Sequence, residues 1–73
     1  MNITTVTYFE LTESLQVRWH GGKTFNIYKR IYSEWAEWDV FSNMNVNDLE
    51  DATEAVESWY IDLVACGEHE EYL

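Results

Sequence analysis

The sequence predicts an α+β fold, a four-stranded antiparallel β-meander (ββββα) with one C-terminal amphipathic helix packed on one face. Two observations carry this reading. From Leu15 to Ser42 apolar and polar residues alternate with a period of two, interrupted by Gly21-Gly22, the pattern of half-buried strands joined by a tight turn. From Asn47 to Ala65 the apolar period lengthens to that of a helix, with one apolar side and one charged side. A sheet with polar residues on one side needs cover on the other, and this stripe is the only long one available.

The strands follow in order. Residues 3–11 are rich in β-branched and aromatic types and read as a first strand. Thr12-Glu13-Ser14 is a polar turn, after which Leu15, Val17 and Trp19 alternate with Gln16, Arg18 and His20. Gly21-Gly22 supplies positive φ angles for a hairpin turn, and Phe25 and Ile27 alternate with Thr24, Asn26 and Tyr28 on the return. The chain turns again around Ile31–Glu34, where no Gly or Pro marks the place. Trp35–Ser42 then sets Ala36, Trp38 and Val40 against Trp35, Glu37, Asp39 and Phe41. That alternation places Trp38 and Val40 in the core.

Asn43–Val46 leads into the helix. Asn47 is a good N-cap with Glu50 three residues on, as in a capping box. Gly67 stands where a left-handed C-cap needs a residue without Cβ. On a helical wheel Leu49, Ala52, Val56, Trp59, Tyr60, Leu63 and Val64 share the apolar side. The sheet therefore spans residues 3–42, the helix residues 47–65, and residues 67–73 form an acidic tail. Leu49, Val56, Trp59 and Leu63 are expected to pack on Leu15, Val17, Trp19, Phe25, Ile27, Trp38 and Val40.

With 73 residues the chain makes one compact domain whose core is barely sufficient. The single cysteine, Cys66, excludes a disulfide framework and points to a reducing cytoplasm. Four Trp, five Tyr and three Phe supply large buried areas per residue instead. No apolar run approaches a membrane span and no leader is visible.

Charge is distributed unevenly. The net charge is −10, yet all four basic residues (Arg18, Lys23, Lys29, Arg30) fall in the first 30 positions, against only Glu10 and Glu13. From Ile31 onward there is no Lys or Arg and the remaining acids accumulate. Such a chain repels nucleic acid and anionic membrane and is drawn to basic surfaces.

Several motifs lead nowhere. Gly22-Lys23-Thr24 resembles the end of a phosphate-binding loop, but the Gly required five positions earlier is Val17 and a strand follows. It reads as a hairpin turn with a solvated lysine. Cys66 and His69 lack the second ligand pair a structural zinc needs, so His69 reads as a solvated tail residue. No cofactor is called for. Cys66 with a histidine has no orienting third group, and carboxylates gathered on one face suggest electrostatics rather than a tuned acid and base. The chain reads as non-enzymatic. Arg18, His20, Tyr28 and Arg30, with Tyr8, interleave cations and aromatics on the open side of the hairpin as single-strand nucleic-acid platforms do. The net charge opposes a phosphate backbone, and Arg30 paired with Glu37 would account for ordinary strand polarity.

The run Trp19-His-Gly-Gly-Lys-Thr-Phe-Asn-Ile-Tyr28, with Glu37-Trp-Asp-Val-Phe41, resembles a strand-pair pattern of small bacteriophage proteins. It covers about a third of the chain and rests on turn and core residues. In size and charge the chain is similar to phage-encoded inhibitors of host defence, including anti-CRISPR and anti-restriction proteins. That resemblance implies imitation of DNA charge and blockage of a nucleic-acid channel.

The expected binding surface is the outer side of the helix, Asp48, Glu50, Asp51, Glu54, Glu57 and Asp62, with Ile61 as an apolar anchor among the acids. Asp48 to Asp62 spans about 21 Å at 1.5 Å per residue. The expected partner is a basic nucleic-acid-binding protein or nuclease complex, without direct nucleic-acid or membrane contact. The alternative is an adaptor module that forms a homodimer through Trp35 and Phe41 on the fourth strand.

Overall fold

A computed structural model describes residues 6–72. Four strands, β1 (Thr7–Thr12), β2 (Leu15–Trp19), β3 (Thr24–Ile31) and β4 (Glu34–Ser42), lie side by side in chain order. Each is antiparallel to its neighbour. The helix α1 (Leu49–Ala65) follows, so the fold is the ββββα meander that the two periodicities indicate. Glu68–Tyr72 forms a 3-10 helix in place of a plain tail, and residues 3–5 of the expected first strand lie outside the described residues.

Pairing fixes which side chains share a face. On the helix side Thr7, Trp19, Phe25 and Phe41 stand in one row, and Phe9, Val17, Ile27 and Asp39 in the next. Leu15, Val17 and Phe25 are wholly buried, and Ile27 and Val56 are 1% exposed. Each such side chain contributes roughly 1.5–3 kcal/mol relative to leaving it in water. Across the first row the rings of Trp19, Phe25, Phe41 and Trp59 stack in sequence, at centroid separations of 6.2, 4.7 and 5.3 Å. This stack ties the edge of the sheet to the middle of the helix.

Strand β4 departs from strict alternation. Ile27 pairs with Asp39 but Tyr28 pairs with Glu37, so Trp38 is an extra, bulged residue. Beyond the bulge the faces invert. Phe41, expected outside, turns to the core, while Trp38 and Val40, expected inside, are 47% and 51% exposed. The flat ring of Phe41 between Phe25 and Trp59 buries more apolar area than Val40 would in its place.

The helix also sits slightly differently on its axis. Its buried residues are Ala52, Ala55, Val56 and Leu63, with Trp59 and Tyr60 half-buried. Leu49, expected in the core, is 53% exposed, and Val64, on the apolar side of the wheel, is 42% exposed. Ala55 has no bulk to hold the helix away, so the stripe centres on the line from Ala52 to Leu63. Leu49, the first helical residue, overhangs.

The N-cap is Asp48, one residue later than the expected Asn47. The Asp48 carboxylate accepts the Asp51 N–H at 2.9 Å, and the Asp51 carboxylate accepts the Asn47 N–H at 3.0 Å. A charged acceptor at the positive end of the helix dipole outweighs the neutral Asn47 amide. At the other end Gly67 takes φ +76°, the left-handed conformation expected of it.

Two turns differ in detail. In the β2–β3 loop only Gly21 has positive φ, at +92°. The unmarked β3–β4 connection is a two-residue turn in which both Tyr32 (φ 51°) and Ser33 (φ 71°) are left-handed, the signature of a type I′ hairpin.

Candidate functional site

Of the residues expected to bind a partner, Asp48 and Asp51 are engaged by the cap just described, and Asp51 is half-buried. Glu50, Glu54, Glu57, Ile61 and Asp62 are exposed. At 100° per residue Glu50, Glu54, Glu57 and Ile61 fall within about 60° of arc, whereas Asp62 lies about 100° round the helix from Ile61. Ile61 is 66% exposed and Val64, one turn further on, is 42% exposed. The outer ridge of the helix is therefore three carboxylates leading to a small apolar patch.

What makes these acids notable is where the cations go. Lys23 is half-buried, and its ammonium donates to the Val46 carbonyl at 2.8 Å. It fastens the loop before the helix, so it is not the solvated residue expected. The Arg18 guanidinium lies 3.8 Å from the Tyr28 ring centroid and 5.2 Å from that of Tyr8, and its Nε donates to Gln16 Oε1 at 2.7 Å. Lys29 sits over Trp38 at 4.4 Å and Arg30 over Trp35 at 5.5 Å. Arg30 also donates to the Glu13 carbonyl, while Glu37, its expected partner, accepts from the Asn26 amide at 3.2 Å. Every cation is held by a ring or an uncharged oxygen, and none of these partners is a carboxylate.

The second distinctive surface is the open face of the sheet. The register aligns Tyr8, Arg18, Asn26 and Val40 in one row, and Glu10, Gln16, Tyr28 and Glu37 in the next, with Arg30 beside Trp35. The alternation of β2 and β3 made Arg18, Tyr28 and Arg30 visible in the sequence. Val40 joined them only through the bulge. Gln16, expected on the wet side, is 4% exposed because Arg18 is bonded to it and Tyr28 stands beside it.

A cleft of about 220 Å³ lies between the Asn43–Val46 loop and the helix flank of Asp51, Glu54, Ala55 and Ser58. Cys66 is an exposed thiol at the helix C-cap. His69 is half-buried, not a solvated tail residue, and its Nδ1 is shielded with no hydrogen-bond partner among the described residues. Among the described residues no three His, Cys, Asp or Glu side chains gather as a metal site, and no helix is long and apolar enough to cross a membrane. Comparison with protein-family models, with curated proteins and with solved structures returns no match.

Proposed function

We propose that this chain is a non-enzymatic binding protein whose acidic helix docks on the basic nucleic-acid-binding groove of a partner, in the manner of phage inhibitors of host defence nucleases. The observation that supports this reading is the division of charge. The four cations are held by rings, an amide and carbonyls, and Glu50, Glu54, Glu57 and Asp62 are exposed with no Lys or Arg paired to them among the described residues. Along the ridge Glu50, Glu54 and Glu57 span about 10.5 Å at 1.5 Å per residue, a carboxylate every ~5 Å, with Asp62 on the neighbouring flank. That is sparser than one strand of DNA, at one charge per roughly 3.4 Å, and much sparser than the duplex, at one per roughly 1.7 Å, so the imitation of a phosphate track is partial. Ile61 and Val64 add packing at one end of the track.

The test separates charge from shape. Glu54→Lys with Glu57→Lys leaves the helix intact, since it removes a repulsive i,i+4 pair with Glu50 and places a Lys one turn after it. Binding to a partner captured from a host lysate should fall by orders of magnitude, because two attractions become repulsions at close range. Ile61→Ala should weaken binding with an unchanged salt dependence. Parent binding should compete with duplex DNA. Calorimetric titration of the three proteins at two salt concentrations reads all of this, and equal affinity of parent and double variant would refute the proposal.

A further inference from the structure

From the open face of the sheet we infer that two copies of this chain associate back to back through it, forming a four-layer helix–sheet–sheet–helix dimer with the acidic helices outermost. Such a dimer leaves the outer face of the helix free. An antiparallel sheet commonly turns one face to water, but such a face ordinarily carries short polar or charged side chains. Here Tyr8 is 55% and Val40 51% exposed, with the rings of Tyr28 and Trp35 half-buried beside them. Tyr, Trp and Arg are the types that carry most binding energy at interfaces.

Charge selects the occupant. Arg18 and Arg30 share this face with Glu10 and Glu37, two of each sign. In a molecule of net charge −10, this neutral face is where a second copy meets no local repulsion. A twofold axis makes the same patch meet itself, so each arginine can approach a carboxylate of the other copy. The helix face offers the opposite, acids against acids.

The face is also pre-organised. Arg18 is held by Gln16 and by two tyrosine rings before any partner arrives, so little side-chain freedom remains to be lost. Edge-to-edge pairing through β4 is discouraged by contrast. Its Val40 N–H is taken by the neighbouring Asp39 carboxylate at 2.8 Å, and the bulge at Trp38 breaks its line. Four strands at about 4.8 Å spacing and about 3.3 Å per residue give a face of roughly 19 by 23 Å. That is about 440 Å² per copy and about 900 Å² in all, below the roughly 1,200 Å² of stable specific interfaces and in the range of weak, transient ones, so a reversible dimer of low affinity is expected.

Sedimentation equilibrium from about 1 μM to about 1 mM brackets such an interface. The parent should pass from monomer to dimer and stop there, with tighter association as salt screens the long-range repulsion. Val40→Glu and Tyr8→Glu, each at a position more than half exposed, should each weaken the dimer at least tenfold while the circular dichroism stays that of the parent. Ile61→Glu on the helix should leave association unchanged. A monomer throughout, growth beyond the dimer, or a dimer dissociated by Ile61→Glu but not by Val40→Glu would overturn the inference. So would saturable binding of a labelled oligothymidylate that Val40→Glu abolishes, which would assign the face to single-stranded nucleic acid.

Discussion

Trp59 shows how much of a small domain can depend on one side chain. Its ring lies 5.3 Å from Phe41, which is itself stacked 4.7 Å from Phe25, so the indole joins helix to sheet by a continuous column of rings. Aromatic-to-alanine changes in cores cost about 3–5 kcal/mol, and because Trp59 is only half-buried the lower end applies. A domain of this size has a total stability of only several kcal/mol. Trp59→Ala should therefore lower the melting temperature by more than about 12 °C, at 4 °C or more per kcal/mol, or leave no cooperative transition. Trp59→Phe should keep most of the stack and fall between. Calorimetry of the three proteins measures this, and an alanine variant melting within a few degrees of the parent would mean that the column does not hold the helix. Sequence periodicity was enough to place Trp59 on the covered side of the helix. Lys23 was not legible in the same way, because its partner, the Val46 carbonyl, is 23 residues away and belongs to a loop with no periodic signal.

Among the elements, the hairpin of β3 and β4 is where sequence and structure part most. Strands β2 and β3 and the helix were readable because their faces differ in polarity along their whole length. In β4 both faces carry large apolar residues, so alternation alone could not say which side is buried, and no Gly betrayed the bulge at Trp38. The open face was half legible for this reason. Its Arg18, Tyr28 and Arg30 followed from alternation, but Val40 did not. The cap was missed by one residue because Asn47 and Asp48 are both good caps, and only the carboxylate profits from the helix dipole. The turn was hidden because residues with positive φ are usually Gly or Asn, while here they are Tyr32 and Ser33. A non-glycine residue held left-handed costs on the order of 1 kcal/mol. Tyr32 is 97% exposed, so replacing it loses no packing. Tyr32→Asn with Ser33→Gly should stabilise the fold by about 1–2 kcal/mol and raise the melting temperature by roughly 4–8 °C per kcal/mol. No gain on thermal denaturation would show that the native pair sits in the turn without strain.

At the scale of the whole molecule, the charge that suits the helix for a basic partner must work against folding. Fourteen acids face four cations, and the cations are turned to rings and uncharged oxygens. The folded chain measures 37 by 26 by 15 Å along its principal axes, whereas the unfolded chain spreads the same charges much further apart. Folding therefore concentrates negative charge, and the repulsion depends on the screening length. At about 0.02 M salt that length is roughly 20 Å, longer than the molecule is thick, so carboxylates repel across it. At about 0.5 M it is roughly 4 Å, and only immediate neighbours interact. The melting temperature should accordingly be higher in about 0.5 M sodium chloride than in about 0.02 M. Chloride is the anion to use, because sulfate would stabilise most proteins by exclusion from their surface whatever their charge. Protein concentration must stay in the low micromolar range, below the region where the dimer forms, since association would raise the melting temperature by mass action alone. The Glu54→Lys, Glu57→Lys variant supplies the internal check, because with net charge −6 in place of −10 its melting temperature should depend on salt less steeply. If parent and variant melt alike at both salt concentrations, the acids do not repel one another in the folded chain, and the uncompensated helix face loses its physical basis.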